Sequence, residues 1–307
     1  MAITLYMSTD SGAPQLTGAA GSMISLLTAC LVSGYGSKAA AGWTLHAAST
    51  STKAIYNCTT GGASGLYLRV DDTATSNATV YGAETILTID NVTGQFPQSS
   101  GIPSSLQIFK SATTSGDIRP WFLITDGRMF YLGVHGNSDS RIANFAFGDI
   151  DSFKVADAYP AIIIGVHSSS YGLGSTSTTY TSFNTHFMAR TYSQGGAGIS
   201  VSKTSNCLNT NVSGETTAVC VYPSQVDNGL LLSPVSIVEG TPLNVVRGIL
   251  PGIYFTPQGV NNNIANYTQF TGIVGLAGRT VMYTNTGMGS SYWASGGVFF
   301  DLTGPWR

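Results

Sequence analysis

Residues 120–134 read Pro-Trp-Phe-Leu-Ile-Thr-Asp-Gly-Arg-Met-Phe-Tyr-Leu-Gly-Val, two apolar runs joined by Asp126-Gly127. An Asp-Gly pair between such runs is a strong signal for a β-hairpin, because glycine adopts the left-handed backbone conformation that tight turns need. We therefore predict a hairpin with strands at 120–125 and 128–134. A second run, 161–166, is continuously apolar, which predicts a central strand buried on both faces.

Strand-like runs continue outward from this hairpin in both directions. They lie at 3–7, 53–57, 65–70, 78–87, 144–147, 183–190, 198–201, 218–222, 229–238, 245–255, 272–277, 280–283 and 296–302. Such runs recur about every ten residues with turn residues between them. The pattern predicts a mainly β fold with β-sandwich or barrel-like sheets.

One short N-terminal helix is predicted near residues 22–33. Met23, Ile24, Leu26, Leu27, Cys30 and Leu31 have the spacing of a single helical face. Ser22 stands where an N-cap belongs, and Gly34 stands where a C-cap belongs. The Gly-Tyr-Gly-Ser-Lys sequence that follows lacks the order of a phosphate-binding loop, which precedes its helix.

The domain organisation is predicted from a change in composition. Residues 168–182 are rich in Ser, Thr, Tyr and Gly and form a candidate loop or linker. They would separate an N-terminal β-rich domain, 1–167, from a C-terminal β-rich region, 183–307. A single continuous domain is the alternative.

Charged residues are scarce in this chain. They make up 9% of it, and hydrophobic residues make up 43%, whereas charged residues make up about 25% of an ordinary soluble domain. Apolar residues recur throughout, which argues against disorder. A coat of Ser, Thr and Asn suits a surface covered by neighbouring subunits, because a buried hydroxyl is easily hydrogen-bonded while a buried charge must be paired.

No membrane span, nucleic-acid interface or signal peptide is predicted. The most apolar stretches, 23–32 and 159–166, are shorter than the about 20 residues that a spanning helix needs. The 13 basic residues are scattered and the net charge is −2, which disfavours binding to a phosphate backbone. The first residues have neither the basic segment nor the apolar core of a signal peptide, so we expect synthesis in the cytoplasm.

The four cysteines do not predict a metal site. Cys30, Cys58, Cys207 and Cys220 contain no Cys-x-x-Cys pair. Cys207 and Cys220 flank a strand-turn-strand pattern, so a cross-strand disulfide is one interpretation. The other, which a cytoplasmic origin favours, is a pair of free thiols.

Neither catalytic residues nor a cofactor are predicted. His46, His135, His167 and His186 are far apart and lack metal-ligand spacing, and no Gly-x-Ser-x-Gly elbow is present. Four carboxylates were the remaining candidates for acid–base chemistry or calcium binding: Asp71, Asp72, Asp149 and Asp151. For the first pair we favour a charged strand end partnered by Arg69. For the second pair we favour a turn with both carboxylates directed outward.

Several motifs together resemble a family of tailed-bacteriophage virion proteins. They are residues 14–18, 26–38 and 41–44, then Leu-Tyr-Leu-Arg-Val-Asp-Asp-Thr at 66–73, Arg-Met-Phe-Tyr-Leu at 128–132, Phe-Ala-Phe-Gly-Asp-Ile-Asp-Ser-Phe at 145–153, and Asp-Ala-Tyr at 157–159. The resemblance covers residues 14–165, and returns at 272–279 and at Trp306-Arg307. It carries no catalytic residues over to this chain.

The resemblance implies a virion structural protein, in the tail or baseplate or on the head surface. Its partners would be other virion proteins and copies of itself, with a trimer or hexamer expected by analogy with phage architecture. Fifteen tyrosines and four tryptophans support an alternative, a receptor- or glycan-binding tail module whose partner is a host surface glycan. The remaining alternative is a glycan hydrolase that uses Asp149 and Asp151.

Overall fold

The computed structural model describes residues 2–97, 106–111, 116–135, 142–165, 185–196, 198–204, 220–221, 229–240, 243–256, 258–259, 264–273, 275–284 and 298–307. Within these residues the chain is mainly β, with several antiparallel sheets and one short helix, which confirms the predicted fold class. The predicted linker, 168–182, and one of the four histidines, His167, lie outside them.

The helical and extended elements have the following bounds. Helix α1 spans Ser22–Thr28 and continues as a π-helical turn over Ala29–Ser33. The strands are β1 Thr4–Met7, β2 Trp43–Leu45, β3 Lys53–Cys58, β4 Tyr67–Asp71, β5 Asn77–Ala83, β6 Thr85–Thr88, β7 Asn91–Thr93, β8 Leu106–Phe109, β9 Trp121–Thr125, β10 Met129–His135, β11 Ile142–Asp149, β12 Asp151–Ser152, β13 Ala161–Gly165, β14 Thr185–Met188, β15 Ile199–Ser200, β16 Ser202–Thr204, β17 Cys220–Val221, β18 Ser233–Glu239, β19 Val245–Phe255, β20 Gln258–Gly259, β21 Gln269–Thr271, β22 Thr280–Thr284 and β23 Val298–Asp301.

The predicted hairpin lies in the middle of a seven-stranded antiparallel sheet with strand order β1-β9-β10-β11-β13-β14-β15. Thr125 stands opposite Phe130, and Gly127 has a φ of 85°. Asp126 Oδ1 accepts a hydrogen bond of 2.8 Å from the Met129 amide, which closes the turn. The hairpin prediction is therefore confirmed.

Two further sheets lie against the two faces of this central sheet. One has the order β2-β3-β4-β5-β8, and the other has the order β16-β18-β19-β23-β22-β21, with β12 paired to β19. A hairpin, β6–β7, and a short parallel pair, β17–β20, complete the described strands. In each of these larger sheets the first and last strands do not pair with each other, so no described sheet closes into a barrel. Of the two predicted arrangements, stacked sheets are therefore the one observed.

The central sheet is buried on both faces because its side chains alternate between two cores. One core, shared with α1 and the β2–β8 sheet, includes Leu123, Leu132, Phe147 and Ile163. The other, shared with the β16–β21 sheet, includes Ile124, Tyr131, Ile162 and Ile164. Strand β13 is thus buried on both faces, as its apolar run predicted. Each such aliphatic side chain stabilises the fold by about 1.5–3 kcal/mol relative to exposure.

The helix begins differently from the prediction. Gly21, with a φ of 80°, occupies the N-cap position, and no side chain of the cap residue bonds to the helix. The capping role of Ser22 was therefore wrong, since this residue is the first of the helix. At the other end Gly34 occupies the C-cap position, as predicted, with a φ of 76° and a ψ of 171°, an extended mirror-image conformation that glycine adopts readily.

The central sheet includes strands from both predicted halves of the chain. Strand β14 pairs with β13, with Met188 opposite Ile162, and β15 pairs with β14. The second core likewise combines side chains from before residue 167 with Val235, Phe300 and others from after it. The two predicted parts of the chain thus contribute strands to one sheet and side chains to one core.

Candidate functional site

The paired carboxylates Asp71 and Asp72 have different surroundings. Asp71 Oδ2 lies 3.2 Å from Arg69 Nη2, so the predicted pairing is confirmed. Asp72 is wholly buried, and its Oδ2 accepts a hydrogen bond of 2.8 Å from the Met23 amide at the start of α1. The prediction of a charged strand end is therefore wrong for Asp72, which caps the helix from a distant strand.

A buried lysine completes the Asp72 site. Lys110 Nζ contacts Asp72 Oδ1 and donates hydrogen bonds to the carbonyls of Ala19 (2.9 Å) and Ala74 (2.8 Å). Both charged side chains have 0% exposure. Burial raises the pKa of Asp72, against the lowering effect of Lys110 and of the helix amides.

Asp149 and Asp151 do not form an outward-facing pair. Asp149 is buried, and it accepts hydrogen bonds from the Ser64 hydroxyl (2.6 Å) and the Ser64 amide (2.7 Å). Arg128 Nη2 lies 3.4 Å from the same carboxylate. The prediction of outward carboxylates was wrong for Asp149. This residue still belongs to β11 and pairs with Ala161 of β13, so it lies within the central sheet and is buried. Asp151 lies in β12 and is partly exposed.

The histidines occupy separate places. His46 Nδ1 accepts a hydrogen bond from the Ala48 amide at 3.2 Å, and His135 shares a hydrogen bond with the Tyr267 hydroxyl. His186 is buried in β14. Among the described residues no group of three or more His, Cys, Asp or Glu side chains is arranged to hold a metal ion.

Cys30 and Cys58 are buried free thiols. Burial raises the pKa of both thiols, so each stays protonated at neutral pH. Cys207 lies outside the described residues, and both interpretations of the Cys207–Cys220 pair, a disulfide or two free thiols, stay predictions.

A fully buried arginine, Arg247, anchors the β16–β21 sheet to the central sheet. Its Nη2 and Nε lie 3.0 Å and 3.1 Å from Asp157 Oδ2, and its Nη1 lies 3.2 Å from Glu239 Oε2. The same Nη1 donates to the carbonyl of Arg190 at 3.1 Å. The planar guanidinium thus uses its fixed donors to hold two acidic side chains and a loop. We name Arg247, Asp157, Glu239 and the Tyr192 ring, 5.8 Å from the guanidinium, the buried cluster.

A second buried arginine, Arg69, makes a similar set of contacts to carboxylates that reach the surface. Arg69 pairs with Asp71 and Asp90, and its guanidinium lies 5.1 Å from the centre of the Tyr81 ring. Lys53 adds a contact of 2.8 Å to Asp90, whose side chain is 56% exposed. We name Arg69, Lys53, Asp71, Asp90 and Tyr81 the exposed cluster.

The residues of the C-terminal resemblance converge on the central hairpin. Arg307 Nε lies 2.9 Å from Asp126 Oδ2, and its Nη2 donates to the Asp149 carbonyl. The Trp306 indole donates to the Asp301 carbonyl at 3.0 Å, and Asp301 in turn pairs with Arg279 at 2.8 Å. These contacts give the resembling motifs a structural role inside the fold.

Four exposed apolar side chains lie on the segment that follows β12 and on the segment that leads into and begins β19. Phe153 is 58% exposed, Val155 92%, Leu243 43% and Val246 46%. The Phe153 amide donates to the Arg247 carbonyl at 2.9 Å, so Phe153 lies opposite Arg247, the residue after Val246. We name these four side chains the apolar rim.

Comparison with known proteins adds no relative. No protein-family model matches the chain, and no curated protein matches it. Within the described residues, no helix has both the length and the apolar content that crossing a membrane requires.

Sequence patterns gave no signal for three of the charged residues that matter most here. Lys110, Arg247 and Glu239 stand singly among neutral residues, with no partner at helical or strand spacing. Lys110 and Arg247 have partners in distant parts of the chain, 38 residues away for the Lys110–Asp72 pair and 90 for the Arg247–Asp157 pair. Glu239 lies on β18 and meets Arg247 on the neighbouring strand β19. Only the pairing of the strands brings these side chains together.

Proposed function

We propose that this protein is a structural component of a tailed-phage virion, in the tail or baseplate or on the head surface. It acts without enzymatic chemistry, through assembly with other virion proteins and with copies of itself. The observation that carries the proposal is the pairing of charged side chains with one another in a chain that has only 9% charged residues. The motifs that resemble virion proteins support it from the sequence.

Most ionic side chains of the described residues are paired within the chain. Every Lys and Arg whose side chain the structure describes, apart from Lys154, forms an ion pair with a carboxylate. Lys154 donates to the Tyr192 carbonyl and lies over that ring. Few charges therefore lose water when a neighbouring subunit covers the surface, which lowers the cost of assembly.

The resembling motifs supply many of these internal pairs. Arg69, Asp72, Arg128, Asp149 and Arg307 all belong to them and all bind partners inside the fold. Residues shared with virion proteins thus maintain the scaffold. We expect such a placement of charged pairs in a structural protein, because its function requires a stable scaffold.

The apolar rim is the surface at which we expect contact with a neighbouring subunit. Exposed apolar side chains that cluster mark association surfaces more often than single ones do. Val155→Asp places a charge in the rim without disturbing a buried contact. Leu87→Asp, on the β6–β7 hairpin, is the matched control, because Leu87 is 59% exposed and apolar but lies outside the rim.

The proposal is tested on gradient-purified particles from cells infected with the phage that encodes this chain. Mass spectrometry is expected to find the chain in constant ratio to the other structural proteins. Particles that lack it altogether would refute the proposal. The Val155→Asp chain is expected to enter particles poorly, whereas the Leu87→Asp chain is expected to enter normally. Equal incorporation of the two variants would show that the apolar rim is not the contact surface.

The alternative functions have less support among the described residues. Trp43, Trp121 and Trp306 are buried, so they present no face to a sugar, and Trp293 lies outside the described residues. Asp149, one of the two carboxylates of the hydrolase hypothesis, is also buried. Binding of the purified chain to host envelope glycans, or release of reducing ends from them, would favour these alternatives.

A further inference from the structure

The Lys110–Asp72 contact holds a primary amine against a carboxyl group in an interior from which water is excluded. Lys110 follows β8 and Asp72 follows β4, and both side chains have 0% exposure. Nζ of the lysine contacts Oδ1 of the aspartate. The other carboxylate oxygen, Oδ2, accepts hydrogen bonds from the amides of Met23 (2.8 Å) and Ile24 (3.4 Å).

We propose that the folded chain joins Lys110 Nζ to Asp72 Cγ through an isopeptide bond. The amine nitrogen attacks Cγ, the Cγ–Oδ1 bond breaks, and Oδ1 leaves as water. An ammonium and a carboxylate contain together the atoms of one amide and one water molecule, with one proton left on Nζ and two on the departing oxygen. The step therefore needs no oxidant, activating group or external proton.

The surroundings favour the amide over the ion pair. Two buried charges lose their hydration, and their mutual attraction often fails to repay that loss. The amide is neutral and keeps the existing hydrogen bonds: its oxygen accepts from Met23, and its N–H donates to the Ala74 carbonyl. The Ala19 carbonyl, which loses the lysine, already accepts from the Ser22 hydroxyl at 3.0 Å.

The fold also supplies the features that speed such a step. Holding two reactants in contact corresponds to effective concentrations of about 10⁵–10⁸ M in well-oriented systems. The Met23 and Ile24 amides point at the oxygen that becomes negative in the tetrahedral intermediate, which stabilises it. The raised pKa of Asp72 favours transfer of a lysine proton to the carboxylate, which generates the neutral amine that attacks.

Other lysines of the described region lack this arrangement. Lys38 lies 3.6 Å from Asp10, and Lys53 lies 2.8 Å from Asp90, with side chains 33% and 28% exposed. Both side chains are partly exposed, so their ammonium groups keep contact with water. The inferred bond is therefore specific to one pair, and it would tie the ends of β4 and β8 together covalently.

Intact-mass spectrometry of the full-length chain tests the proposal. The unfolded, purified chain is expected to be lighter than its sequence by one water molecule, and its digest to contain one branched peptide with residues 72 and 110. Lys110→Arg, which keeps the charge but lacks a primary amine, is expected to have the full mass. Lys38→Arg is the matched control and is expected to keep the water loss.

A second variant guards against poor folding of Lys110→Arg. Asp72→Asn forms the same amide with loss of ammonia in place of water, so its mass deficit should change accordingly. The proposal fails if the wild-type chain, folded by circular dichroism, has its full mass. It also fails if the water loss persists in Lys110→Arg, because the loss then arises elsewhere.

Discussion

The buried cluster and the exposed cluster share a set of side chains but differ in the burial of their carboxylates. Each has one arginine, two carboxylates and a tyrosine ring that packs on the guanidinium, and the exposed cluster also has Lys53. Both arginines are buried, with side chains 0% exposed for Arg247 and 7% for Arg69. The carboxylates Asp157 and Glu239 are 3% and 7% exposed, whereas Asp71 and Asp90 are 20% and 56% exposed, so water reaches only the second pair freely.

The difference follows from the cost of leaving a charge unpaired. At the surface, water replaces a lost partner, so an ion pair contributes little to the free energy of unfolding. In the interior no water is available, so a carboxylate without its arginine is strongly destabilising. Loss of a pair in the buried cluster should therefore lower the free energy of unfolding strongly. Loss of a pair in the exposed cluster should lower it only slightly.

The largest effect is expected from Arg247→Leu. It leaves Asp157 and Glu239 buried without their main donor, so the free energy of unfolding should fall by about 3–5 kcal/mol. Arg247→Lys keeps the charge but cannot hold both carboxylates, so its free energy of unfolding should lie between those of Arg247→Leu and the wild type. Urea denaturation followed by tryptophan fluorescence measures both. A loss below that of Arg69→Leu would contradict the comparison.

A smaller effect is expected from Arg69→Leu in the exposed cluster. Asp71 and Asp90 keep water and Lys53 as partners, so the free energy of unfolding should fall by about 1 kcal/mol or less. The same denaturation experiment gives the value directly. A loss equal to that of Arg247→Leu would show that the surface cluster is as critical as the buried one.

Salt should separate the two clusters further. Raising ionic strength from 0.1 M to 1 M shortens the Debye length from about 10 Å to about 3 Å, which screens exposed charges far more than buried ones. We expect the destabilisation by Arg69→Leu to shrink in 1 M NaCl and that by Arg247→Leu to persist. Equal salt sensitivity of the two variants would speak against the assigned burial.

The smallest effect concerns pH. Hydrogen bonds from Lys53 and Arg69 lower the pKa of Asp90. Because the folded pKa is lower than the unfolded value of about 3.9, the ionised carboxylate stabilises the fold above that pH and loses this effect as pH falls through the folded pKa. The difference in unfolding midpoint between wild type and Asp90→Asn should therefore narrow below about pH 4. A constant difference would exclude the lowered pKa, which NMR titration of the Asp90 carboxyl reports independently.

The two clusters also differ in what sequence could predict. Arg69 and Asp71 are two residues apart on one strand face, so their pairing was predictable and is confirmed. Arg247 and Asp157 are 90 residues apart, and their meeting depends on the pairing of β12 with β19. Asp149 and Asp72 show the same limit, because their positions at strand ends suggested exposure while neighbouring layers bury them.

The sequence by itself determined the mainly β character, the Asp126-Gly127 hairpin, the buried strand at 161–165 and the single helix with its terminal glycine. These features depend on local backbone preferences and on the spacing of apolar side chains, both of which are set by residues close together in the sequence. Only the tertiary structure decided that three sheets stack with the hairpin in the middle, and that Lys110 meets Asp72 and Arg247 meets Asp157 and Glu239. Such contacts join distant segments, and a lone charge in a sequence does not specify which layer will cover it or which partner will lie beneath.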